Sequence, residues 1–232
     1  MITIKTLAKR DDVGIVEVFE AARRGPEAAE ATHDGRSLTT RADQLIYVEL
    51  DPPSEVYLLT RGWVQLFVGD GKQRQTSLFL RAPALFGDRD VIAGCAITHE
   101  SARSVSSANL LCFSRESLEE AYAADRDFAD ALHRDLVVRY ARSLTFSSFR
   151  AMNLENRVLW ILWELGSTTL PTYETLALLT DASQKSVGRA VKALQDDGRL
   201  ELRAERQLVV SQQTWDELGA PESLGLFHSI GH

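Results

Sequence analysis

The chain has 232 residues, 44% of them apolar and a quarter charged, and its 33 acidic against 26 basic side chains leave a net charge of −7. That is enough to bury a core in one large or two medium domains, and the acidic balance excludes a protein that coats nucleic acid by bulk charge, though not a local basic face. No apolar run approaches the ~18 residues of a membrane span, and the opening Met1-Ile2-Thr3-Ile4-Lys5-Thr6 has no apolar signal-peptide core, so a soluble, cytoplasmic protein without a membrane partner is expected.

In chain order, Val13, Ile15, Val16, Val18 and Phe19 give residues 12–24 helical spacing. Gly25-Pro26 breaks it, and a polar, alanine-rich stretch follows. Between about 38 and 113 the signal is β: short β-branched and aromatic runs at 45–48, 56–59, 63–68, 77–80 and 110–113, separated by turn residues. Residues 62–68 and 76–80 read as a hairpin around Gly69-Asp70-Gly71-Lys72, where Asp-Gly supplies the positive φ of a tight turn. Many short strands of this kind predict a small sandwich, barrel or roll.

From Glu116 to about Ser148 the period changes to three and four, through Leu118, Ala121, Tyr122, Phe128, Ala131, Leu132, Leu136, Val137, Tyr140, Ala141 and Leu144. One short helix and then a long one from about Asp127 are predicted. An apolar seam on so long a helix packs either on its own core or on a partner helix, and the second case makes a homodimer. The strongly apolar residues 156–165 form another helix, which Gly166 stops; Trp160 and Trp163 are expected in the core. Residues 172–179 and 183–194 read as two helices joined by Thr180-Asp181-Ala182, with Gly198 ending the second and a two-stranded wing at 200–203 and 207–210.

The two cysteines, Cys95 and Cys112, lie in strand-like stretches and form no CxxC pair. Their spacing gives no support for a zinc site or an iron–sulfur cluster, and they read as small buried apolar residues. No cofactor or metal is called for.

The stretch 172–194 carries the functional signal. Leu176, Ala177 and Leu179 put an apolar face on the first helix, Ala182 suits a tight turn, and Ser183 is placed to cap the second helix. Val187, Ala190, Val191 and Leu194 bury that helix against the first, leaving Gln184, Lys185, Gly188, Arg189 and Lys192 on the opposite face. Lys185, Arg189 and Lys192 fall at i, i+4 and i+7 and share one side. Gln, Lys and Arg are the side chains that reach base edges and phosphates in the major groove. Thr172, Tyr173, Ser183, Gln184, Lys185, Ser186, Arg189, Lys192 and Arg203 are therefore the candidate contacts to duplex DNA.

This block resembles the winged helix-turn-helix of the CRP/FNR family of bacterial transcription regulators. Leu176-Ala177, Ser183, Gln184-Lys185-Ser186-Val187-Gly188-Arg189, Leu194 and Gly198-Arg199-Leu200 follow the family's order of Leu-Ala, a small-residue turn, Ser, a recognition helix, Leu and a Gly-led strand. Arg157-Val158-Leu159 resembles the start of that family's DNA-binding domain. Upstream, the run from Asp51 to Val64, Phe86-Gly87-Asp88 and the exit at Phe113-Ser114-Arg115-Glu116-Ser117-Leu118 are similar to its β-roll. The resemblance covers about residues 45–215. It implies an α+β chain: an N-terminal segment (1–37), a double-stranded, jelly-roll-like β-roll (38–117), a helical linker with a long dimer helix (118–150) bearing Leu132, Leu136, Tyr140 and Leu144, and a winged helix-turn-helix (151–232). It also implies a homodimer, a two-fold DNA site and, for an activator, RNA polymerase as partner.

The departures are as informative. Nucleotide-binding members hold ribose and phosphate with a Gly-Glu pair and a later arginine, and a buried phosphate needs such a cation. The matching positions here are Gly87-Asp88 and Glu100-Ser101-Ala102, a carboxylate where the cation belongs; Arg103-Ser104 lies three residues on. Gly87, Asp88, Glu100, Ser101 and Arg103 are the candidate effector residues, and cyclic AMP is not expected to be the effector. The cysteines of the family's iron–sulfur branch are missing near the N-terminus, and a haem ligand would have to be His99 or His133. The family's Arg-Glu at the head of the recognition helix is Gln184-Lys185, which changes the preferred half-site. One rival reading is a ligand-binding roll whose C-terminal helices make protein contacts. Another is a cupin-like enzyme, which needs clustered His and Glu where 38–113 has His99.

Overall fold

The computed structural model describes residues 15–33, 35–70, 75–165, 170–204 and 207–218. Asp12 and Val13, the turn residues Gly71 and Lys72, and Gly166 lie outside them. Two helices open the described chain, α1 (Ile15–Arg24) and α2 (Pro26–Thr32). Gly25 leaves the helical region at φ 140°, and Pro26 takes the first helical position, where a missing N–H costs nothing. The pair expected to end helical structure therefore separates two helices.

The strands are β1 (Ser37–Thr40), β2 (Leu45–Tyr47), β3 (Glu55–Arg61), β4 (Trp63–Val68), β5 (Gln75–Arg81), β6 (Ala84–Phe86), β7 (Ser101–Ser104) and β8 (Ala108–Ser114). They form two four-stranded sheets, ordered β1-β8-β3-β6 and β2-β7-β4-β5. The registers of β1, β3 and β6 in the first sheet and of β2, β4 and β7 in the second are antiparallel. A short helix, α3 (Asp88–Ile92), begins the connection from β6 in one sheet to β7 in the other.

Strand β3 is buried on both faces, which is why it lacks alternation. On one face Val56 and Leu58 join Ile15, Phe19, Leu111, Phe113, Leu118 and Phe128 in a core of helix and strand residues. On the other, Tyr57 stacks on Phe86, centroids 5.3 Å apart, and on Tyr47 of the second sheet at 5.9 Å. The β3–β4 turn requires a glycine: Gly62 has φ 90°, and a Cβ there would lie 2.3 Å from the Ser107 carbonyl oxygen.

Two helices follow the roll, α4 (Arg115–Ala124) and the 26-residue α5 (Arg126–Ala151). Ser114 caps α4 by accepting from the Ser117 amide. The start of α5 belongs to the core of the roll, where Phe128 meets Phe19 edge to face and Leu132 is fully buried.

The chain divides into two compact units, one built mainly from residues before Val137 and one mainly from Val137 onward. The second contains α6 (Leu154–Leu165), α7 (Tyr173–Thr180), α8 (Gln184–Asp196), the antiparallel pair β9 (Leu200–Leu202) and β10 (Leu208–Val210), and α9 (Gln212–Leu218). Val158, Leu159 and Leu162 of α6, Leu176 and Leu179 of α7, and Val187, Val191 and Leu194 of α8 are all buried. Trp163 departs from expectation: it is 41% exposed and packs on Trp215 of α9 at 5.2 Å. Trp160 is half-buried.

Candidate nucleic-acid interface and effector site

Each helix of the 172–196 segment is started by a hydroxyl. Thr172 accepts from the Thr175 amide and Ser183 from the Ser186 amide, both at 3.1 Å. These bonds satisfy amides that a helix leaves open at its first turn. The tight junction depends on Asp181, which adopts the left-handed conformation (φ 49°), while the Ala182 amide closes back onto the Ala177 carbonyl. The sequence singles out Ala182 for the turn, but the conformational demand falls on its neighbour. Arg157 of α6 donates to the Thr180 carbonyl at 2.6 Å, placing a cation at the C-terminal end of α7.

The alternation of burial along α8 sets its outer face. Val187, Ala190, Val191 and Leu194 are buried, and Gln184, Lys185, Arg189 and Lys192 are exposed. Among the described residues none of these three cations has an ion-pair partner, and no acidic residue stands in the first turn. Gly188 contributes closeness rather than a contact, because the Tyr173 ring lies 3.5 Å from where its Cβ would be. Tyr173 is thus partly covered by its own domain. Arg203, beside the wing, is exposed but paired with Glu201 at 3.1 Å, so its charge is partly spent.

The roll's candidate effector residues separate into groups. Gly87 ends β6 at φ 80° as the N-cap of α3, where a Cβ would lie 3.1 Å from the Glu55 carbonyl oxygen. Asp88 is fully buried. Buried Glu100 accepts from Arg89 Nη1 at 3.3 Å, and the same guanidinium grips Asp90 through Nε and Nη2 at 3.1 and 3.2 Å. Burial works against the charge on Arg89, but its bonds to Asp90 and the charge of Glu100 outweigh that and raise its pKa. Burial likewise opposes ionisation of Asp90, yet Arg89 and the His99 amide hold its carboxyl below the ordinary range. Ser101 is buried and accepts from the Glu49 amide. Arg103 is engaged elsewhere on β7, donating to Gln65 and to Asp43. The sequence reading misses Arg89 and Asp90 and weighs His99 only as a haem or cupin-type ligand, since five helical residues and a loop carry no periodic signal.

On α5, Leu132 is fully buried within the roll's own core and drops out of the expected seam. Leu136 is half-buried. Val137, Tyr140 and Leu144 are 68%, 66% and 57% exposed, and Ala141 lies open beside them. The exposed stripe therefore begins one turn later.

Residues 37–125 match the cyclic nucleotide-binding domain family. No curated protein matches the chain. Among solved structures, FixK2 from Bradyrhizobium japonicum is 22% identical, with a TM-score of 0.59 over 79% of this chain and 96% of that one. A CRP/FNR-family transcriptional regulator from Thermus thermophilus is 17% identical (TM-score 0.59, 80% and 99% covered). A second regulator from that organism, of the CRP family, is 16% identical (0.60, 78% and 96%). This is the CRP/FNR fold. Within it, the region that matches the cyclic nucleotide-binding domain family places Asp90 and Glu100 on Arg89, and the helix pair α7–α8 begins its second helix with Gln184 and Lys185. Among the described residues no helix of this CRP/FNR fold is long and apolar enough to cross a membrane.

Proposed function

We propose that the chain is a sequence-specific, DNA-binding transcription regulator of the CRP/FNR type, acting as a homodimer on a two-fold site and not controlled by cyclic AMP. The observation that carries this reading is the face of α8, with Gln184, Lys185, Arg189 and Lys192 exposed on a helix that is capped, buried on its other side and followed by a wing. The Lys185–Arg189–Lys192 stripe is a local basic surface on an acidic chain, as groove reading requires. Arg189 and Gln184 supply base-edge donors, Lys185 and Lys192 phosphate contacts, and Thr172, Ser183 and Ser186 further polar contacts at the helix starts. The exposed stripe Val137, Tyr140, Ala141, Leu144 has helical seam spacing, which supports pairing with a second copy. Two recognition helices related by a two-fold read half-sites about one helical turn apart. If the regulator activates, RNA polymerase is its further partner. The work is non-catalytic and belongs where the DNA is, in the cytoplasm.

The rejection of cyclic AMP rests on charge: the buried carboxylates Asp90 and Glu100 both bind the cation Arg89. A cyclic phosphate entering this site meets net negative charge. The experiment selects bound sequences from a random duplex pool and compares wild type with Arg189→Ala by gel shift on the selected site. Loss of a bidentate base contact costs about 1–3 kcal/mol and a dimer loses two, so a weakening of roughly thirty-fold or more on the selected site is expected, with the dimer unchanged by light scattering. Equal affinity for both proteins overturns the docking. Calorimetric titration with cyclic AMP and cyclic GMP is expected to show no binding, and micromolar binding with altered DNA affinity overturns the ligand assignment.

A further inference from the structure

We propose that Asp90, Cys95 and His99 form a binding site for a thiophilic divalent transition-metal ion of the zinc type, set in the connection between the two sheets of the roll. One ligand atom from each lies within 4.8 Å of the other two, and among the described residues this is the one such cluster of His, Cys, Asp or Glu. A thiolate, an imidazole and a carboxylate are the donors that zinc takes at tetrahedral sites, whereas calcium and magnesium take oxygen alone. Three protein ligands leave a fourth position open. His99, with 57% of its side chain exposed, places that position within reach of solvent.

The three groups are held together by the backbone. Asp90 sits in α3, and the chain turns back after it through Ala93 and Gly94, the latter at φ 68°. The Cys95 amide donates to the Asp90 carbonyl at 2.9 Å and the His99 amide to Asp90 Oδ2 at 2.8 Å. His99 Nδ1 lies 3.1 Å from Asp90 Oδ1. Arg115 donates to the Cys95 carbonyl at 3.4 Å, fixing the loop from the start of α4. Both later ligands are thus tied to the first before any ion arrives, which lowers the ordering cost of binding. Cys95 is not in a strand, contrary to the sequence expectation, but in this loop, half-buried. Because the left-handed turn at Gly94 brings the ligands together, their Asp-x4-Cys-x3-His spacing matches no CxxC pattern.

The surrounding charge favours a cation. Asp90 and Glu100 are buried carboxylates that share the cation Arg89. Arg89 contacts both oxygens of Asp90. An entering ion takes one oxygen, and the guanidinium keeps the other together with Glu100. Binding forms the metal–sulfur bond at Cys95 and releases the thiol proton to solvent, with His99 ligating as neutral imidazole.

The test titrates the metal-stripped full-length chain with cobalt(II), whose bond to thiolate gives charge-transfer absorption and whose tetrahedral sites give visible bands. Saturation at one cobalt per chain is expected, with bleaching by excess zinc. Cys95→Ser should lose the thiolate band and Cys112→Ser should keep it. His99→Ala should weaken binding at least about ten-fold, and this arm carries the test if circular dichroism shows Cys95→Ser unfolded. Absence of the band in the wild type, its persistence in folded Cys95→Ser, or unchanged affinity in His99→Ala overturns the site.

Discussion

Cys112 illustrates how a single buried group ties stability to pH. It is 6% exposed on β8, and burial pushes its thiol up to about 11, against the pull of nearby Arg36. The folded chain holds this proton to higher pH than the unfolded chain, so the stabilisation is fully present below the ordinary thiol value and is lost as pH rises through about 11. Tyr57 acts in the same direction, its phenol raised by burial and by its bond to Glu55. Urea unfolding of the wild type should therefore lose midpoint steadily as pH rises above the ordinary thiol range, and Cys112→Ala should show a shallower alkaline decline; parallel curves would refute the assignment. Little of this was readable from the chain, where Cys112 and Cys95 look alike. The cap at Ser183 was readable, because a hydroxyl before a buried helix has one local partner to find. The grip of Arg89 on Asp90 and Glu100 was not, since Glu100 reaches it only through the fold.

At the scale of elements, periodicity located what is long or alternating. The strands around Val56–Leu59, Trp63–Val68 and Leu110–Phe113, the helix pair α7–α8 and the long α5 all lie where spacing placed them. The failures share a physical cause. Strand β7 (Ser101–Ser104) is polar yet buried throughout, stabilised by Ser104 bonding the Arg41 and Gln44 carbonyls and by Arg103 bonding Gln65, so neither composition nor alternation marks it. Helix α3 is one turn long, and α9, which covers Trp163, follows the wing without a strong stripe. On α5 the apolar spacing is continuous but its environments are not: Leu132 faces its own core, whereas Tyr140 and Leu144 face outward. The two ends must therefore answer mutation differently. Leu132→Ala removes a fully buried side chain and should cost about 2–5 kcal/mol of stability. Leu144→Arg or Tyr140→Glu should leave the melting of the roll unchanged but convert dimer to monomer in light scattering. A dimer that survives both charged substitutions would show that this stripe is not the seam.

The whole molecule joins an acidic chain to a basic helix face, and on the proposed reading that contrast sets how it meets DNA. A net charge of −7 works against attraction to a polyanion overall, so on this reading attraction depends on the cations that α8 presents together. Nonspecific association should be weak, with affinity concentrated where the face fits a groove. Counterion release makes the dependence quantitative. If Lys185 and Lys192 of both protomers each neutralise one phosphate, about four ions leave the duplex, and the slope of log K against log salt is roughly −4. Arg189, assigned to a base edge, changes discrimination more than the slope. Lys192→Ala should remove one phosphate contact per protomer, lowering the slope to about half while leaving the selected sequence unchanged. Arg189→Ala should do the reverse, relaxing sequence preference at one position of each half-site. Fluorescence anisotropy across a salt series, on the selected site and on a scrambled duplex, separates the two effects. A slope that Lys192→Ala leaves intact would mean the stripe does not lie along the phosphates, and α8 would then enter the groove by another face.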